Sequence, residues 1–112
     1  MSQSPIDLLQ GTVDVLILRT LAWEPMHGYG VSRFIRQRTD GVLTIESAAL
    51  YQALHRLERK KWVRAEWGVS DSNRRARFYT LTAQGKKQLA RETAGWLEFI
   101  RAVHAVMQLA TV

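Results

Sequence analysis

Six side chains between positions 47 and 59 can donate hydrogen bonds: Ser47, Tyr51, Gln52, His55, Arg56 and Arg59. At helical spacing they fall along one side of a rod, opposite an apolar stripe of Leu50, Leu54 and Leu57. Gln and Arg can each make two parallel hydrogen bonds to a base edge, while Ser, Tyr and His suit phosphate or a thymine methyl, so the chemistry on offer is readout of a double helix. Gln52 and Arg56 are the candidates for base contact. A second cluster, Arg74, Arg75 and Arg77, sets three guanidiniums within four residues, which suits clamping of phosphates and supplies affinity more than specificity. A solvated helix face and a solubilised loop are the plainer alternatives, and the nearness of the two clusters favours nucleic acid over both.

Charge agrees with this chemistry. The 112 residues hold 16 Lys and Arg against 10 Asp and Glu, a formal +6, with a pI near 10.3. From His55 to Arg77, eight cations (Arg56, Arg59, Lys60, Lys61, Arg64, Arg74, Arg75, Arg77) face three anions (Glu58, Glu66, Asp71), a local net of +5. With no cysteine, disulfides, thiolate metal sites and cysteine nucleophiles are excluded, as suits a reducing compartment. The opening residues lack a basic start and an apolar run, and no apolar stretch reaches the ~18 residues of a membrane span, so a cytoplasmic protein is expected. His27, His55 and His104 fall on different elements without metal-ligand spacing, and no metal or cofactor is expected. Paired carboxylates, a nucleophile with its base and a glycine-rich phosphate loop are all missing, which excludes the common enzyme chemistries.

The elements that must carry these groups are legible from periodicity. Ser4 and Pro5 open a first helix in which Leu9, Val13, Leu16, Ile17, Thr20 and Leu21 form the apolar face. Glu24 to Gly28 breaks it with a short turn, and Tyr29, Val31, Phe34 and Ile35 form one face of a second helix ending at Asp40-Gly41. His27, Gly28 and Tyr29 are expected as architecture, a turn followed by an aromatic buried between helices. Glu46 and Ser47 are expected to cap the third helix. Trp62 to Trp67 and Ala76 to Leu81 predict two strands, joined through turn formers into a hairpin with a basic tip. Thr82 should cap a last helix from Ala83 towards Ala110, with Leu89, Thr93, Trp96, Ile100, Val103, Met107 and Ala110 spaced alternately four and three apart. Such a seam, with Thr93 its weak position, needs a partner surface.

Three helices and a basic hairpin follow the order of a winged helix-turn-helix, in which the third helix enters the major groove. The fold class expected is α+β, mostly α: a DNA-binding unit over 1–82, with three helices and a two-stranded wing, then a long C-terminal dimerisation helix over 83–112. Leu9-Gln10-Gly11-Thr12, His27-Gly28-Tyr29-Gly30, the run from Leu50 to Glu58, the run from Arg75 to Thr82, and Gly85 together resemble the PadR family of transcriptional regulators. Ala49, Gln52 and Lys61 stand where the family pattern has a small residue or Thr, Pro, and a helix-closing Gly. The resemblance implies a dimeric repressor of the shorter form, ending in one dimerisation helix. On the seam of the last helix Trp96 has two readings, packing between subunits or the aromatic wall of a site for a flat effector between them, and the resemblance supports the second.

The expected partners are therefore double-stranded DNA and a second copy of the chain, the dimer interface being Leu89, Trp96, Ile100, Val103 and Met107, and the operator an inverted repeat. Two rivals stand beside this expectation: a basic module that docks an acidic protein, and a nucleic-acid binder without sequence preference.

Overall fold

Pro5 has its φ fixed near the helical value and lacks the amide hydrogen that a first helical turn leaves unpaired, and the first helix begins there. The computed structural model describes residues 5–108, with side chains from position 11 onward. Its elements are α1 (Pro5–Leu21), β1 (Met26–His27), α2 (Gly28–Arg38), α3 (Ser47–Arg59), β2 (Val63–Val69), β3 (Arg75–Leu81) and α4 (Ala83–Met107). Ser4 and Ala110, and the side chain of Leu9, lie outside the described residues.

The mostly helical α+β order is as expected from the periodicity, with one correction to the sheet. Met26 and His27 form a short strand that pairs antiparallel with Tyr79 and Phe78, so the wing belongs to a three-stranded sheet of order β1-β3-β2 and not to a two-stranded hairpin alone. Two residues cannot display the alternation by which a strand is read, and this one exists through its distant partner. β2 and β3 pair from Val63 opposite Leu81 to Val69 opposite Arg75. On one face of this hairpin Val63, Tyr79 and Leu81 are buried, and farther out the same face carries Trp67, Arg75 and Arg77.

The core gathers Ile17, Leu18 and Leu21 of α1, Val31 and Ile35 of α2, and Leu50, Ala53, Leu54 and Leu57 of α3 against that sheet. Leu50, Leu54 and Leu57 face inward as their spacing predicts, which turns the polar side of α3 outward. Tyr29 departs from expectation. It is 58% exposed, while Val31 and Ile35 of the same helix are buried in the core and Phe34 packs against it.

Helix ends explain how the pieces lock. The N-cap of α2 is His27, whose Nδ1 accepts the Gly30 N–H at 3.0 Å while its ring meets Phe78 edge-on at 5.3 Å. For α3 the cap residue is Glu46, without a side-chain hydrogen bond, and Ser47 is already helical, so the expected capping by these two side chains is not found. α3 closes with the Trp62 N–H on the Leu57 carbonyl and the Lys61 N–H on that of Glu58, both at 3.0 Å. This geometry holds Lys61 at φ +64°, so the position keeps the backbone shape that the family pattern meets with glycine, at a cost of about 1 kcal/mol.

Thr82 caps α4 as expected: its Oγ1 accepts the Gly85 N–H at 3.0 Å and its hydroxyl donates to the Lys61 carbonyl at 2.7 Å. Gly85 lies directly against the Trp62 carbonyl oxygen, and a methyl there would also meet Leu81 at 2.7 Å. Gly→Ala inside a helix ordinarily stabilises by about 1 kcal/mol. Here Gly85→Ala is expected to destabilise by about 1–3 kcal/mol, because a backbone carbonyl cannot swing aside as a side chain does. A chemical denaturation curve checks the sign; a stabilised variant would show that α4 does not sit this close.

Candidate nucleic-acid interface

α3 has three usable sides once its core stripe is placed. Opposite Leu50, Ala53, Leu54 and Leu57 runs an exposed line of Ala48, Gln52, His55 and Arg59, spaced as one face of a helix. Ser47 and Tyr51 are also exposed, on the flank towards α2. Tyr51 lies over the start of that helix so closely that a Cβ on Gly28 would come within 2.6 Å of its hydroxyl oxygen. Gly28 is thus the gap through which α2 accommodates Tyr51.

Arg56 takes the other flank. Its Nη2 donates to Asp14 Oδ1 at 2.7 Å, and both side chains are about three-quarters covered (26% and 22% exposed). The structure therefore does not place Arg56 with the free outward line; it ties α3 to α1, and reaching a base requires leaving Asp14. Nothing local in the sequence signals a partner this distant.

The wing cations are held differently from one another. Arg77 Nη2 donates to Glu58 Oε2 of α3 at 2.9 Å, which fixes the hairpin beside that helix. Arg75 instead lies with its Cζ 4.6 Å from the centre of the Trp67 ring. Arg74 sits at the exposed end of the turn, where the Ser70 N–H donates to its carbonyl at 2.8 Å and Asn73 takes up φ +61°. A groove of about 1080 Å³ separates wing from helices, and Tyr51, His55, Trp67, Arg74, Arg75 and Arg77 all line it. Burial pushes the Tyr79 phenol above its ordinary pKa, with Arg77 pulling the other way, so the tyrosine under the wing stays neutral.

Ala48 and Trp67 belong to this face although neither was expected there. Ala48 has no polar atom to draw notice, and Trp67 by type is only a strand former; counting the helix line through Gln52 finds the first, and the alternation of β2 finds the second.

On α4 the expected seam divides. Leu89 is 7% exposed and part of the protomer's own core, so it is not available to a partner. Thr93 is exposed, and Trp96 is half-buried against the core with Phe99 edge-on at 5.7 Å. Ile100, Val103 and Met107 are exposed as a pairing surface would require, joined by Leu97, Phe99 and Val106, which the strict heptad count left out. Among the described residues no acidic or histidine cluster could hold a metal, and no helix is long and apolar enough to cross a membrane.

A polar third helix turned outward, flanked by a hairpin whose arginines share its groove, defines a winged helix-turn-helix DNA-binding regulator. The model of the transcriptional regulator PadR-like family matches residues 17–91, more than half of the chain, and the chain belongs to that family. Membership makes it a DNA-binding transcription regulator and not an enzyme. An uncharacterized protein of Lysinibacillus sphaericus is 33% identical over 103 residues, spanning 91% of this chain and 94% of that protein. Among solved structures, a transcriptional regulator from Clostridium thermocellum is 28% identical with a TM-score of 0.79, covering 93% of this chain and 97% of its own. A PadR family transcription regulator from Clostridium difficile is 26% identical with a TM-score of 0.71, covering 86% and 97%.

Proposed function

We propose that this regulator is a cytoplasmic repressor that binds an inverted-repeat operator as a homodimer. The exposed line of Gln52, His55 and Arg59 on α3, beside Arg75 and Arg77 of the wing, carries this conclusion. Gln52 makes the base contact, Ser47, Tyr51, His55 and Arg59 flank it, Arg74 and Arg75 hold the backbone, and Arg77 braces the wing against Glu58 of α3. Trp96, Ile100, Val103 and Met107 of α4 pair across a twofold axis and set two α3 helices about one DNA turn apart. The division into a DNA-binding unit (1–82) and a dimerisation helix (83–112) is one of role, because Leu89 packs into the core of the first. Trp96 also offers an aromatic wall between subunits, where a flat aromatic effector that favours another dimer geometry would release the operator.

Selection of genomic fragments on the purified protein, followed by a salt titration, tests the proposal. An inverted repeat near a promoter should emerge, and with about six phosphate contacts log affinity should fall by about five per decade of salt. Fragments sharing no repeat, or a flat salt response, would overturn it in favour of a protein-docking module or an indifferent nucleic-acid binder.

A further inference from the structure

We propose that Trp67 is a positioning residue for the phosphate clamp: its indole face holds the Arg75 guanidinium in place while leaving that cation's hydrogen-bonding edge free for DNA. This rests on the wing contacting phosphate, as argued above. Trp67 is 60% exposed, a large apolar surface to leave in water unless something covers it or uses it. In the register of the hairpin it stands opposite Arg77, one diagonal step from Arg75, which brings the guanidinium over the ring.

How Arg56, Arg77 and Arg75 are held separates their roles. Arg56 is tied to Asp14 and Arg77 to Glu58, and a carboxylate both occupies N–H donors and cancels the charge that a phosphate would feel. The Arg75 side chain makes no hydrogen bond or ion pair among the described residues. A guanidinium is planar: an aromatic ring takes its face, a phosphate takes its edge, and the two do not compete. The ring thus orders a flexible side chain before DNA arrives, so less rotamer freedom is lost on binding.

The full-length protein is titrated with its selected operator and with a random duplex, using the parent, Trp67→Ala, Trp67→Leu, Trp67→Phe, Arg75→Ala and the Trp67→Ala/Arg75→Ala double variant. Trp67→Ala should weaken both duplexes alike, by about two- to tenfold per wing. Trp67→Leu, which keeps apolar bulk but has no ring face, should behave like Trp67→Ala, whereas Trp67→Phe should recover most of the loss. With Arg75 already removed, Trp67→Ala should add nothing. Equal losses with and without Arg75 would overturn the inference, since the indole would then act through the hairpin's stability or touch DNA itself. So would parental affinity in Trp67→Ala, or a Phe variant as weak as the Ala one. A parent protein that binds no duplex overturns the proposed function as well; a binding parent with additive losses overturns this inference alone.

Discussion

The double substitution Ile100→Asp and Val103→Asp is expected to give a folded monomer whose operator affinity is at least about 100-fold below that of the parent. Both side chains lie on the exposed stripe of α4, at 52% and 40% exposure, and neither belongs to the protomer's core. Carboxylates there leave the fold untouched yet cannot be desolvated against an apolar twin without a large penalty. The affinity loss follows because two half-sites joined in one dimer bind with the product of their contacts, and a monomer holds only one set. Sedimentation and gel shift on one preparation measure both quantities. A variant that stays dimeric and keeps full affinity would show that the copies join elsewhere.

Next in size is Gln52→Ala. Loss of a two-pronged base contact should lower operator affinity by about 5- to 150-fold per half-site and leave a random duplex within about twofold. Equal weakening of both duplexes would move Gln52 from bases to backbone. Arg56 supplies the contrast, since its guanidinium is engaged with Asp14 at 2.7 Å. Where Arg56 serves to seat α3 on α1, Asp14→Ala reproduces the effect of Arg56→Ala. Should Arg56 read a base in the complex, Asp14→Ala leaves operator binding intact.

Periodicity made the helices and hairpin legible because each buries one face, and the face is written locally, as in Leu50, Leu54 and Leu57. What escaped depends on contacts between distant residues. β1 is a strand only because Phe78 and Tyr79 lie opposite it, and Arg56 and Arg77 find their carboxylates 42 and 19 positions away. Leu89 continues the spacing of the α4 seam, yet the close seat of Gly85 against Trp62 draws that first stretch of helix into the protomer. On the outward side of α3 and in the groove beside the wing, the polar residues were visible by type. Ala48 and Trp67 were not, since a methyl and an indole carry no sign of purpose until the surface around them is built.

Between the last residue of β3 and the first of α4 stands only Thr82, pinned to the Lys61 carbonyl on one side and to the Gly85 amide on the other. Such a junction has no hinge. In the proposed dimer, wing and α4 would tilt together: from the pairing stretch around Ile100 back to Ala83 the helical arm is about 25 Å, so a tilt of roughly 10° there moves its wing end by about 4 Å. A shift of that size is most of the roughly 6 Å width of a minor groove, enough to break a hydrogen bond to a phosphate.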